Sequence, residues 1–178
     1  MKLLAFAASN SRNSINRKLL GHAVQVLTEM APGAETEFLD LHDYEMPIYS
    51  IDRENESGIP EPAQRFYDKI GEADAILISF AEHNGSYTVA YKNVYDWASR
   101  IDSKVYQGKP VVLMATSPGG RGGAGVLGTA NMAFPHFGAD VQASLPVPKF
   151  YDVFDQDTGA LNDSDLSAQL KDALSKLL

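Results

Sequence analysis

The sequence predicts an α/β domain, a doubly wound sheet of five parallel strands with helices on both faces. Two observations carry that expectation. Short, almost wholly apolar runs recur along the chain, as strands do when both faces of a sheet are covered. Between them lie stretches whose apolar residues return every three or four positions, the period of a helix with one buried face.

Leu3–Ala8 is the first apolar run. With Met1-Lys2 ahead of it and an Ala5-Phe6-Ala7 step inside, it has some look of a signal peptide. Six apolar residues passing straight into Ser9-Asn10-Ser11 are short for one, and a buried strand is the better reading. Ile15, Leu19, Ala23, Val24, Leu27 and Met30 then mark a helix that Pro32-Gly33 stops. Glu37–Leu41 is a weaker second strand, with Phe38, Leu39 and Leu41 apolar. Phe66, Ile70 and Ala73 mark the next helix, entered through Pro60-Glu61-Pro62, and Ala75–Phe80 is the third strand. Val94, Trp97, Ala98 and Ile101 give a helix, and Val111–Thr116 the fourth strand. Val126, Leu127, Ala130 and Phe134 give another, ended by Pro135, and Val141–Leu145 is the fifth strand. Leu166, Leu170, Leu174 and Leu177 form a last amphipathic helix with Asp163 or Ser164 as its N-cap. Two irregular stretches, His42–Ile59 and Pro146–Asp157, interrupt the alternation, and loops that long often line a site. No repeat or linker divides the chain, so residues 1–178 read as one domain.

Composition narrows the function. The 178 residues carry 15 Lys+Arg against 23 Asp+Glu, a net charge of -8, and no cysteine. Such a length buries a full core without disulfides. The missing cysteines exclude a disulfide framework, thiolate zinc sites, Fe–S ligation and a cysteine nucleophile. Acidity argues against a nucleic acid or a membrane surface as partner, since either would need a basic footprint. No apolar stretch approaches the ~20 residues that span a bilayer, so a soluble, cytoplasmic protein is predicted. His22, His42, His83 and His136 show no metal-ligand spacing, and no metal site is expected.

In an open α/β sheet, ligands bind beyond the carboxyl ends of the strands, so the loops after strands one, three and four are the ones to read. The first, Ser9-Asn10-Ser11-Arg12-Asn13-Ser14-Ile15-Asn16, holds three hydroxyls, three amides and an arginine, with no acid. Hydroxyls, amides and the free N–H groups of a helix start donate to a phosphate, the helix dipole favours it, and Arg12 adds a charge-assisted contact. An ordinary Ser/Asn N-cap accounts for one or two of these residues but not for the run. The loop after strand three, Ala81-Glu82-His83-Asn84-Gly85-Ser86-Tyr87-Thr88, contains an Asn-Gly turn that presents backbone groups suited to a flat heteroaromatic ring. His83 is given no proton-transfer role, because a lone loop histidine is more often a packing or polar contact.

The loop after strand four is Ser117-Pro118-Gly119-Gly120-Arg121-Gly122-Gly123-Ala124-Gly125. Its glycines satisfy G-x-G-x-x-G twice by composition, yet the dinucleotide fingerprint belongs after strand one with an acid about 20 residues on. Asp140 comes too early, and the loop is read instead as backbone that approaches a ligand closely, with Arg121 available to a second anion. No P-loop lysine and no G-x-S-x-G elbow are present. A low-molecular-weight phosphatase would need the missing cysteine.

Together these loops resemble those of the NADPH-dependent FMN reductase family, which includes chromate, quinone and azo reductases. Ser9, Ser14 and Asn16 match the spacing of the family's phosphate loop, Gly-Ser-x-Arg-x-x-Ser-x-Asn. Ala81-Glu82-His83-Asn84-Gly85-Ser86 stands where the family has Pro-Glu-Tyr-Asn-Gly-Ser. Tyr91-Lys92-Asn93, Asp96-Trp97 and Asp40-Leu41 through Met46-Pro47 follow the family pattern too. Ala8 replaces the family glycine, Arg12 sits one position late, and Ala81 and His83 replace Pro and Tyr.

The resemblance implies a flavodoxin-like sheet of order 2-1-3-4-5 and an FMN-dependent NAD(P)H oxidoreductase, with NADPH or NADH as co-substrate. It implies FMN contacts from Ser9, Ser11, Arg12, Ser14, Ile15 and Asn16, from Glu82, His83, Asn84, Gly85 and Ser86, and from Ser117, Pro118, Gly119, Gly120, Arg121 and Gly122. Electrons would pass to a small-molecule acceptor (quinone, azo compound, metal oxyanion or free flavin), and no protein side chain would be catalytic. A homodimer or homotetramer is implied, with residues 42–59 covering a neighbouring site. A flavodoxin-type electron carrier and a non-flavin protein binding another phosphorylated metabolite are the competing expectations.

Overall fold

The computed structural model describes every residue from Met1 to Leu178. Strands β1 (Lys2–Ala8), β2 (Glu35–Leu39), β3 (Ala75–Phe80), β4 (Pro110–Thr116) and β5 (Asp140–Val147) form one parallel sheet in the order β2-β1-β3-β4-β5. The apolar runs explain its centre: Leu3 to Ala8, Ala75 to Phe80 and Val111 to Thr116 are buried on both faces. Alternate residues serve two cores. Leu3, Ala5, Ala7, Leu77, Val112 and Met114 pack under α1 (Ile15–Met30) and α7 (Ser164–Ser175). Leu4, Phe6, Ile76, Ile78, Phe80 and Leu113 face the opposite layer of α3 (Glu61–Glu72), α4 (Val89–Ala98) and α5 (Ala124–Ala133).

Four expectations need correction. The edge strand β2 begins two residues earlier than its apolar residues suggest, with Lys2 opposite Glu35. Asp40 leaves the sheet to accept the His42 N–H at 3.1 Å and open a 3-10 turn over Leu41–Tyr44. An edge strand tolerates Glu35 and Glu37 because its outer side meets water. Residues 42–59 are not wholly irregular: they contain α2 (Ile51–Ser57), capped by the Ser50 hydroxyl, which accepts the Arg53 N–H, and ended by Gly58 at φ +74°. No residue of α2 is buried, so it carries no apolar stripe for a periodicity reading to find. In the second stretch, β5 runs on to Val147, followed by α6 (Phe150–Val153) and a small antiparallel ladder of β6 (Phe154–Asp155) with β7 (Ala160–Leu161). The helix expected around Val94–Ile101 starts earlier, at Val89, because the Thr88 hydroxyl caps it by accepting the Tyr91 N–H at 3.2 Å. Of the two residues offered as N-cap for α7, Asp163 holds the position.

At the amino ends of the strands, Glu37 accepts from Lys69 at 2.8 Å and from Lys2 at 3.1 Å. The Lys69 ammonium holds the Glu37 carboxyl below its usual range, against an opposing push from partial burial, with Lys2 adding to the effect. A depressed carboxyl contributes stability above the ordinary carboxylate range, and that contribution fades as pH falls through the lowered value. The pair is about one-third exposed, so the contribution stays small. Glu37→Gln therefore lowers unfolding free energy by less than ~1 kcal/mol at neutral pH. Urea titrations of the two proteins converge as pH falls through the lowered carboxyl value and the native carboxylate is lost.

Candidate functional site

The carboxyl ends of β1, β3 and β4 meet around one buried side chain. Asn16, in the first turn of α1, is only 2% exposed. Its amide nitrogen donates to the Thr116 carbonyl at 3.1 Å, and its amide oxygen accepts the Thr116 N–H and the Ser79 hydroxyl, both at 2.9 Å. Two donors at one oxygen fix which way the amide points. The start of α1 is thus held directly over the ends of β3 and β4. Thr88 does similar work between β1 and α4: its hydroxyl donates to the Ala8 carbonyl at 3.0 Å.

With the Asn16 side chain turned inward, the first loop presents its backbone outward. The N–H groups of Arg12, Asn13, Ile15 and Asn16 have no acceptor within the protein. Ser9 accepts the Ser11 N–H and Ser14 caps the helix by accepting the Arg17 N–H, which leaves both hydroxyl protons free to donate. Such a set of donors at the start of a 16-residue helix attracts an anion. The expected contribution of Asn16 is therefore restricted to its backbone.

Across a cleft of about 280 Å³ from this loop lies the turn after β3. His83 and Ser86 exchange both backbone hydrogen bonds, at 3.0 and 3.1 Å, with Asn84 at φ +53° and Gly85 at φ +79° between them. Both central residues are left-handed, the geometry for which Asn-Gly is suited. The N–H groups of Asn84 and Gly85 at its tip remain unpaired. Glu82 is mostly enclosed, and its carboxylate accepts the Val126 N–H of α5 at 2.7 Å. It joins the two walls of the cleft, and Gly125 makes room for it, because a Cβ there would stand 2.7 Å from the carboxylate oxygen.

That contact also explains part of the glycine run. A Cβ at Gly122 would stand 2.6 Å from the Pro148 nitrogen, and one at Gly123 2.6 Å from the Ala115 Cβ. These glycines serve chain packing, and Gly122 is buried against Val147–Pro148. Gly119 and Gly120 are open and exposed, and with Ser117 and Pro118 they form the accessible side of the loop. Arg121 stretches into solvent, 82% exposed and 4.0 Å from Glu82.

A second cavity of about 350 Å³ shares His83 with the cleft and is floored by Leu41, Tyr44, Met46, Val89 and Ala90. Its outer wall, residues 46–49, is fastened to α4. Asn93 donates to the Met46 carbonyl at 3.1 Å and accepts the Tyr49 N–H at 2.9 Å, while the Trp97 indole donates to the Pro47 carbonyl at 2.7 Å. The sequence motifs at 46–47, 93 and 97 are the parts of this one clasp. Glu82, Thr88, Asn93 and Trp97 act as struts that residue type alone does not reveal. Tyr87 packs against Phe80 and Tyr91 at 5.5 and 5.1 Å and does not line the cleft. Burial pushes its hydroxyl up to about 12.

Residues 1–152 match the family model described as NADPH-dependent FMN reductase. An NADPH:quinone oxidoreductase of Arabidopsis thaliana is 32% identical over 123 residues, 69% of this chain and 61% of that protein. A 2-hydroxy-1,4-benzoquinone reductase of a Burkholderia species is 36% identical over 126 residues, 70% of this chain and 64% of that protein. The chain thus spans less than two thirds of these curated relatives. Among solved structures, FerB of Paracoccus denitrificans, described as a flavoenzyme NAD(P)H:(acceptor) oxidoreductase, matches with a TM-score of 0.75 at 28% identity. The match covers 99% of this chain and 94% of that one. No helix of the chain is long and apolar enough to cross a membrane.

The Asn16 tie has a measurable consequence. Asn16→Ala strands the Ser79 hydroxyl and both polar groups of the Thr116 backbone in the core, at a cost of about 2–4 kcal/mol. Denaturant unfolding of the two proteins measures it, and a loss below ~0.5 kcal/mol contradicts the assigned role.

Proposed function

The chain belongs to the NADPH-dependent FMN reductases, and on that premise we propose that it binds FMN and passes reducing equivalents from NADPH or NADH to a small-molecule acceptor. The observation that carries this reading is the row of unpaired N–H groups at residues 12, 13, 15 and 16, in a loop that shares one cleft with Ala81, Glu82 and His83 at the base of the turn after β3.

The residues present fit the cofactor. The first loop offers backbone amides, the Ser9, Ser11 and Ser14 hydroxyls, and the exposed Arg12 guanidinium to the phosphate. The Asn84 and Gly85 amides meet the polar edge of the ring system, and Ser117 to Gly120 flank it. The short-range donors act where the global charge of -8 cannot cancel them, because a hydrogen bond to an ionised group outweighs a screened, distant field. When bound, FMN supplies the hydride and electron chemistry itself. The protein holds, orients and shields it, which agrees with a cleft lacking any nucleophile–base pair. Residues 1–178 would act as one FMN-binding unit.

For the acceptor, the apolar second cavity beside His83 suits a flat molecule of the quinone class, in keeping with the names of the relatives. Azo compounds, metal oxyanions and free flavin are further acceptors, to be ranked by kcat/KM. Ile48, Ile51 and Val89 stand more than half exposed around this cavity and along α2, and a second copy of the chain is proposed to cover them in a homodimer or homotetramer. Dependence on reduced pyridine nucleotide places the protein in the cytoplasm in this proposal. A flavodoxin-type carrier is less well supported, since Tyr87 is taken up by Phe80 and Tyr91 rather than by the cleft.

Purified protein is expected to show the flavin absorbance bands, or to acquire them on adding FMN, and to lose them on anaerobic addition of NADPH. Riboflavin, which lacks the phosphate, is expected to bind at least about tenfold more weakly than FMN. Equal affinities would sink the phosphate cradle, and a bound flavin that NADPH leaves oxidised would restore the carrier reading.

A further inference from the structure

Fifteen Lys and Arg side chains serve this acidic chain, and nearly all are spoken for. Seven lie within 3.4 Å of a carboxylate, and Lys18, Arg53, Lys104 and Lys109 donate to Gln156 or to carbonyl oxygens. Only Arg12, Lys149 and Lys171 make no ion pair or hydrogen bond, and Arg121 has one loose approach to Glu82 at 4.0 Å. Lys171 lies on α7. The other three are neighbours of cleft-lining residues: Arg12 lies between Ser11 and Asn13, Arg121 is 4.0 Å from Glu82, and Lys149 is two residues from Tyr151.

Arg121 and Lys149 sit on adjoining segments. The Lys149 N–H donates to the Gly119 carbonyl at 3.0 Å and the Phe150 N–H to the Ser117 carbonyl at 3.1 Å. Gly122 lies against Pro148, and Ser117, Pro118 and Tyr151 from the same two segments line the cleft. Lys149 also stands at φ +50°, a left-handed conformation that favours glycine. That backbone conformation costs free energy, and it falls at the segment that carries the cleft-lining Tyr151.

We propose that Arg121 and Lys149 form a second anion site at the mouth of the cleft, which takes the phosphate groups of the reduced pyridine nucleotide. It rests on the oxidoreductase reading, in which the first loop already serves the flavin phosphate, and it reassigns Arg121, 82% exposed and outside the cleft lining, from the FMN contact that the resemblance implied. The guanidinium fits two phosphate oxygens at once, and the ammonium adds a point charge. Such a site gives a dianionic or more highly charged co-substrate a local foothold on a protein whose net charge repels it.

The test uses Arg121→Ala, Lys149→Gly and their combination; the glycine relaxes the left-handed backbone, so loss of fold does not confound it. NADP+ binding is measured by calorimetry on protein as purified and after adding FMN, alongside FMN affinity and steady-state rates with NADPH and NADH. The double variant is expected to weaken NADP+ binding and raise the KM for NADPH roughly tenfold, with FMN affinity unchanged and the loss in KM rather than kcat. Arg121→Lys should restore part of it, and added salt should weaken the wild type more than the double variant. An effect confined to NADPH assigns the site to the 2′-phosphate, and an equal effect on NADH assigns it to the diphosphate. Undiminished NADP+ binding, no NADP+ binding by the wild type, or a parallel loss of FMN affinity overturns the proposal. Wild-type protein that binds NADP+ through this rim yet never oxidises NADPH would instead sink the oxidoreductase reading and leave the rim standing.

Discussion

The site depends on where one amide points. Asn16 could cap its own helix or face solvent, but it reaches inward to the ends of β3 and β4 and satisfies three polar groups that no water reaches. An inward Asn16 fixes the height and direction of α1 over the sheet. It leaves the preceding backbone amides exposed with nothing inside the protein to bond. Anion affinity in that loop is therefore a by-product of how the core is closed. Thr88 and Glu82 extend the same logic, tying β1 to α4 and the turn after β3 to α5. Loops braced in this way lose little further freedom when a ligand arrives, so more of the contact energy appears as affinity.

The electrostatics follow from range. Acidic residues cluster at 40–61 and 152–165, away from the first loop in sequence, and they set a field that salt screens within about 10 Å. Backbone donors act at contact distance and are not screened in that way. An acidic protein can thus hold a phosphate while discouraging polyanions.

Most of the sheet was legible because burial on both faces writes a continuous apolar run, and the fold class then said which three loops to read. The failures have a common physical origin. Exposed α2 has no buried stripe, and β2 starts at Glu35, opposite Lys2, two residues ahead of the run its apolar residues mark. Within the site, residue types in the loops were readable but directions were not. The Asn16 side chain is a tie whose partners lie 63 and 100 residues away, so only its backbone N–H is left to face a ligand. Glycines that looked like room for a ligand include three that make room for Pro148, Ala115 and Glu82. Asn93 and Trp97 could be noted as a motif, yet their common purpose at the 46–49 segment exists only in three dimensions.

The central claim is that loops braced through Asn16 form one cradle for FMN. Amide-resolved NMR during an FMN titration addresses it most directly. The account predicts that the amides of Arg12, Asn13, Ile15, Asn16, Asn84 and Gly85 shift together along one binding curve, while those of β2 and the far end of α7 stay in place. Binding that moves other amides and leaves these six unchanged would contradict it.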